Sequence, residues 1–283
     1  MVVSFFGFIL GAVLGSFVKV LADRSLNNKT FWGRSYCQYC KHKLTWYDLF
    51  PIVSYLLLGG KCRYCKKKIG IEYVIVEIAM GLIIGFLFLE KFSPDLIFKT
   101  FFITILVALF ITDIKKMFIP DRITYPAIVI SLAYLILVTI YKVGYLFHYL
   151  SQSRVGQLLL PPHTDYFQRH ALITAYPLLS GLAMAVLIGG FFTFLIYITK
   201  GKGMGGGDVK LGALMGLVLG FPNALVALMT AFISGAIFSL GLIALRKKHF
   251  GQSIPFGPFL VFGSLVALFW GNEIIEWYLR LSM

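Results

Sequence analysis

Charge is scarce in this chain, and negative charge scarcest. Only 13% of its 283 residues are charged, and acidic residues number 12 against 26 basic ones. With 59% hydrophobic and 16% aromatic residues, that shortage excludes a water-soluble domain of this length. Histidine is scarce too, and the spacings of His148, His163 and His170 match no metal site. No glycine-rich fingerprint of the Rossmann kind is present. Nor is there a nucleic-acid-binding module: the basic residues are scattered over four loops, so no nucleic acid is expected as a partner. The opening "MVVSFFGFILGAVLGSFVKVLADR" lacks basic residues ahead of its apolar run and lacks a small-residue cleavage site, so a retained membrane helix is expected rather than a signal peptide.

What the chain does have is long apolar runs. Stretches able to cross roughly 30 Å of hydrocarbon fall near 3–22, 72–90, 96–112, 123–141, 175–199, 209–221, 223–245 and 255–280. They predict an all-α polytopic membrane protein of about eight transmembrane helices, the sixth short for a full span. Placement of Lys and Arg predicts its orientation. With the amino terminus outside, Lys19 and the loops 23–71, 113–122, 200–210 and 246–254 hold 20 of the 26 basic residues on the inner side. Three parts follow: a first transmembrane helix at 1–22, a cytoplasmic four-cysteine module at 23–71 and a transmembrane domain at 72–283. A second long loop, 142–174, is expected outside and carries the breaker Pro161-Pro162. No internal repeat is read. Gly7, Gly11 and Gly15 share one helix face and Gly212, Gly216 and Gly220 another, as close backbone packing in lipid requires.

All four cysteines lie in the first loop, as "CQYC" at 37–40 and "CRYC" at 62–65, separated by 21 residues. Cys37, Cys40, Cys62 and Cys65 suit tetrahedral zinc in a ribbon-like module. A reducing compartment argues against disulfides, and four thiolates leave no open coordination position, so the zinc is structural. The surrounding lysines and arginines should rest against anionic headgroups or receive an acidic ligand.

With so few acids, each position counts. Glu77, Asp113, Asp121 and Asp208 lie at or near predicted cytoplasmic helix ends, where an ionisable group is a functional candidate. Asp113 ends the third helix in "LFITDIKKMFIPDRIT", and Asp208 begins the sixth in "GKGMGGGDVKLGALMG"; helix parity puts both on one face. Two carboxylates that meet there cannot both ionise cheaply. One then holds a proton while the other accepts one from a shared water, as in aspartic proteases. Gly205, Gly206 and Gly207 would let a substrate backbone approach Asp208 and permit a sharp turn into the helix. A carboxylate in a first helical turn also faces the positive dipole end, so Asp208 is the expected base and Asp113 the expected acid. Asp208 taken alone also reads as a helix N-cap, and Asp121 as a cap or first-turn residue. Two other classes stay open on these residues: an ion-coupled transporter with a broken sixth helix, and a zinc-stabilised scaffold without chemistry.

Five ordered segments narrow the choice. "GAVLGSFVKV", "CQYCKHKLTWYDLFPIVSYLLLGGKCRYCKKKIGIEYVIVE", "DIKKMFIPDRIT", "GMGGGDVKLGALMG" and "SIPFGPFL" together resemble the type IV prepilin peptidases over nearly the whole chain. That resemblance implies membrane aspartic peptidases with Asp113 and Asp208 as the catalytic pair. It implies cleavage of the short basic leader of a prepilin or pseudopilin at the cytoplasmic face of the bacterial inner membrane. It further implies methylation of the new amino terminus from S-adenosylmethionine, since four-cysteine members are generally bifunctional. Asp23, Asp48, Glu72 and Glu77 are then the candidate leader contacts. The chain departs from the family pattern at Lys19, where Asn is common, at Lys115, where a second acid is frequent, and in the loop 142–174. Oligomeric state is not legible.

Overall fold

A computed structural model describes residues 2–27, 29–31, 33–201, 203–245 and 254–282. The basic residues Lys202, Arg246, Lys247 and Lys248, used in the orientation count, lie outside the described residues, as does Ser253 of "SIPFGPFL". Every named element is a helix: α1 (Val2–Leu26), a 3-10 turn (Trp46–Leu49), α2 (Val53–Leu57), α3 (Glu72–Leu87), α4 (Pro94–Lys116), α5 (Asp121–Ser151), α6 (Arg154–Leu158), α7 (Tyr166–Ile198), α8 (Gly206–Leu219), α9 (Asn223–Ala244) and α10 (Gly257–Ser282).

All eight apolar stretches are helical. Six helices are long and apolar enough to cross a membrane: α1, α4, α5, α7, α9 and α10. The 16 residues of α3 and 14 of α8 rise only about 24 and 21 Å at ~1.5 Å per residue, less than the hydrocarbon thickness of roughly 30 Å. The expected outer loop 142–174 needs correction. Helix α5 continues to Ser151, α6 occupies Arg154–Leu158 and α7 starts at Tyr166. Hydropathy ends where the polar and aromatic residues begin, but helix propensity does not, so both helices run on past their apolar cores. Pro161 and Pro162 do sit in the remaining turn.

The helix ends are set by local chemistry. Ser93 caps α4 by accepting from the Leu96 N–H at 3.2 Å, Pro94 follows in the first turn, and Lys115 and Lys116 close the last turn at the negative dipole end. Ser153 caps α6 in the same way, accepting from the Gly156 N–H at 2.9 Å.

The chain divides into two compact units, Met1–Ile123 and Thr124–Met283. In the first, α1 lies against α3 with their backbones in close approach. A Cβ on Gly7 would sit 2.6 Å from Phe88 Cβ, and one on Gly15 would sit 2.8 Å from Glu77 Cα. Gly81 and Gly85 of α3 reciprocate against Phe8 and Ser4, and the Ser4 hydroxyl donates to the Gly85 carbonyl at 2.8 Å. The second unit repeats the device between α7 and α8: a Cβ on Gly212 would reach the Phe192 ring at 2.6 Å, and one on Gly216 the Met184 backbone at 2.7 Å. Gly220 ends α8 at φ +61°, facing Ser180. The glycine faces read from the sequence are therefore packing faces.

Candidate functional site

The cysteine module is built from two copies of one turn. In each, the first cysteine's carbonyl accepts from an N–H four residues on, Lys41 to Cys37 and Lys66 to Cys62, both at 3.0 Å. Lys41 and Lys66 adopt matching left-handed conformations, φ 58° and 59°. Each turn is closed by a bridge, Tyr36 with Lys43 and Lys61 with Lys68. A repeat was not expected, yet "YCQYCKHK" and "KCRYCKKK" differ at only three of eight places. Comparing the knuckles beyond their cysteines would have revealed it.

The four sulfurs lie within 4.8 Å of one another, with Cys37 Sγ and Cys65 Sγ 3.9 Å apart, and the cysteines are free. A tetrahedral zinc with Zn–S of about 2.3 Å needs sulfurs about 3.8 Å apart. The donor set and spacing fit such an ion. Burial opposes the Cys37 thiolate, but the backbone of Cys40 and Tyr39 outweighs it and brings that thiol down to about 7. At Cys65 a Lys67 backbone contact favours the thiolate, while burial and the neighbouring cysteines prevail and push the thiol up to about 11.

Asp113 lies in the last turn of α4 and is 5% exposed; its carbonyl accepts from the N–H of Met117, the left-handed C-cap, at 2.7 Å. Asp208 is the third residue of α8 and is 8% exposed. It is not the N-cap. Gly205 holds that position, and the Asp208 carboxylate reaches back to accept from the Gly205 N–H at 3.4 Å. Asp121 opens α5 as a first-turn residue. The change of direction into the helix falls at the glycines before Asp208, the backbone passing from extended at Gly205 to helical at Gly206. Gly205 is extended at φ −87°, while the positive φ values fall upstream at Lys200 and Gly201. Gly205 and Gly206 also leave space: a Cβ on Gly206 would meet nothing within 4 Å, and one on Gly205 nothing closer than Asp208 Oδ2 at 3.9 Å. Beside this loop opens a cavity of about 410 Å³ lined by Gly203, Met204, Phe232, Phe256 and Phe259 among others.

The four candidate leader contacts fall into three settings. Asp23 and Glu72 come together around Lys19, which is 1% exposed and donates to them at 3.2 and 3.0 Å. Lys115 approaches the same two carboxylates from the rim, at 3.0 and 3.4 Å, and Tyr73 places its hydroxyl on Asp23 and its ring under Lys19. Lys116 donates to the Leu26 carbonyl. The two residues that depart from the family pattern, Lys19 and Lys115, thus meet in one cluster; their partners are up to 92 residues away in sequence, so no motif could reveal it. Asp48 sits inside the cysteine module. Burial works against its charge, but the Thr45 hydroxyl and the Arg63 guanidinium, 2.8 Å away, hold its carboxyl below the usual range. Glu77 is buried on α3, where it accepts from the Ile52 N–H at 2.7 Å and from Ser16.

These features define a multi-pass helical membrane protein with a four-thiol cluster and two buried carboxylates at helix ends. Residues 9–91 match the bacterial peptidase A24 N-terminal domain, and residues 166–240 match the type IV leader peptidase family. The chain is 32% identical over 247 residues to the prepilin leader peptidase/N-methyltransferase of Aeromonas salmonicida, covering 87% of this chain and 74% of that protein. It is 29% identical over 278 residues to the protein of the same description in Bacillus subtilis, covering 98% of each, and 28% identical to that of Vibrio cholerae over 92% and 94%. No solved structure matches. The chain belongs to the type IV leader peptidase family.

Proposed function

We propose that this protein is a membrane aspartic endopeptidase that removes the leader of a prepilin or pseudopilin, with Asp113 and Asp208 as its catalytic pair. The observation that carries the reading is the burial of two carboxylates at helix ends, one of them beside a stretch of chain free of side chains. Asp208, with Gly205–Gly207 leaving room for a scissile bond, takes a proton from water as that water attacks the carbonyl carbon. Asp113 gives its proton to the carbonyl oxygen. Collapse of the tetrahedral intermediate breaks the C–N bond: the proton held by Asp208 passes to the departing amine, and one hydroxyl of the gem-diol returns its proton to Asp113. The site faces the cytoplasm of the bacterial inner membrane, and α3 and α8 bring the count of membrane helices to eight.

A basic leader can reach Asp23 and Glu72 by exchanging with Lys115 at the rim, whereas Lys19 stays as their buried counter-charge. Asp48 and Glu77 would serve the leader by shaping the module. Residues 23–71 form a structural unit in which Cys37, Cys40, Cys62 and Cys65 would hold zinc. The relatives' shared description supports a second activity, methylation of the exposed amino terminus. S-adenosylmethionine would supply the methyl group; the chain's part is to present that amine after cleavage.

Membranes containing wild type, Asp113→Asn or Asp208→Asn are incubated with a prepilin substrate. Each substitution lowers cleavage by about 10²- to 10⁴-fold, the usual contribution of a positioned acid or base, while methyl transfer to precleaved substrate survives. Cleavage retained in either variant removes that residue from the mechanism. Absence of methyl transfer by wild type, with the donor supplied, removes the second activity.

A further inference from the structure

The loop carrying the cysteines contains a run that does not suit a cytosolic loop. Residues 49–58, "LFPIVSYLLL", are ten in succession without a charge. That length is too short to span and typical of a re-entrant or interfacial segment. In the structure this run is fastened to the membrane helices rather than held above them. The Ile52 N–H donates to Glu77, and the Glu77 backbone lies against Gly15 of α1. Ile52 is therefore level with Gly15 and Ser16, about 5 Å to the apolar side of Lys19 at ~1.5 Å per residue.

The backbone there is equipped for a place without water. Ile52 donates to Glu77, Ser54 to Phe50, Leu56 to Ile52, Leu58 to Ser54, Gly59 to Leu56 and Gly60 to Tyr55. Its side chains do the opposite of what a cytosolic loop requires. Trp46 is 74% exposed and Leu57 82% exposed, with Phe50, Val53 and Leu56 more than half exposed between them. Trp46 meets Tyr47 and Phe50 edge to face, leaving a broad aromatic surface. The acid just ahead of this run, Asp48, is turned inward onto Arg63, its side chain only 3% exposed. The chain then turns back at Gly59 and Gly60, both at positive φ, and Lys61 opens the second knuckle.

We propose that residues 46–58 form a wedge seated in the acyl-chain border of the leaflet at the Lys19 end of α1, with lipid as the occupant of the exposed face. The continuity of the segment with α1 and α3 selects that occupant. Hydrocarbon accepts apolar side chains around a self-satisfied backbone, and the headgroup border accepts Trp and Tyr. The cysteine module is on this account fixed to the membrane at two places, by the Glu77 clasp and by the wedge. The proposal does not rest on the peptidase reading.

The test uses Trp46 as its own probe. Trp32, Trp270 and Trp277 are replaced by Phe, and the zinc-loaded full chain is reconstituted into phosphatidylglycerol–phosphatidylcholine vesicles with or without bromine on the acyl chains. Trp46 emission should be lost to brominated lipid and spared by aqueous acrylamide. Quenching by acrylamide without quenching by lipid would place the segment in the cytosol and overturn the proposal. Resistance to both quenchers would mean that protein, a second copy or another chain, covers the face, and would overturn it equally. Leu57→Asp should lose the lipid quenching while still loading zinc; unaltered quenching in that variant also counts against the wedge.

Discussion

The α1–α3 seam and the α7–α8 seam use one packing device and finish it differently. Both bring backbones together over glycines four residues apart. At the end of the first, Lys19, Asp23, Glu72, Tyr73 and Lys115 form a closed ionic cluster, and Glu77 binds the module's backbone. The second leads to Gly205 and Gly206, which leave open space ahead of Asp208. Close packing alone thus does not decide what a helix end does. Its last turn either fills with matched charge and becomes an anchor, or stays bare and admits something else.

Three experiments test that contrast. Metal removal should have the largest effect, because structural zinc contributes on the order of 10 kcal/mol to the fold of such small modules. Chelation should unfold residues 35–68, read by proteolysis of the loop, and leave the α7–α8 seam intact. Zinc binding requires thiolates, so affinity should fall as pH drops below the Cys37 value of about 7 and strengthen above it. Zinc retention that is flat with pH between 6 and 8 would be the contrary result.

Next in size is Lys19→Met. Removing the buried cation strands Asp23 and Glu72 with only the rim lysine, at a cost of about 3 kcal/mol in a denaturant titration in detergent micelles. Lys115→Met, half-exposed, should cost ~1 kcal/mol or less. Equal costs would mean that the closed end is not held from within.

The smallest effects separate the glycines of the second seam. Gly216→Ala drives a methyl into the Met184 backbone and should cost about 1–3 kcal/mol. Gly206→Ala meets nothing, so stability should stay within ~0.5 kcal/mol of wild type while prepilin cleavage falls. Unchanged cleavage in Gly206→Ala would show that the open space is not a substrate path.

The helices were legible because apolar runs of this length admit no other structure in lipid, and the thiol cluster was legible because its spacing is local. Less was readable where partners are remote. Lys19 looked like one departure and Lys115 like another; only the fold puts them on the same two carboxylates. Hydropathy misled at 142–174, where helices outlast their apolar cores, and at 49–58, where an apolar run was grouped with the charged loop around it. The glycines before Asp208 were read as permitting a sharp turn into the helix, and the chain does change there from extended to helical, while the left-handed residues Lys200 and Gly201 upstream could not be read.

The two knuckles stand on either side of the wedge, joined by the 21 residues between Cys40 and Cys62. An ion shared by all four thiols would work as a buckle, and the apolar segment would be the strap it shortens. Opening the buckle removes the constraint on a loop of that size, so the strap's grip on the bilayer and the occupancy of the thiols become one equilibrium. A cell that strips this ion would, by that coupling, loosen a membrane contact without touching a single lipid.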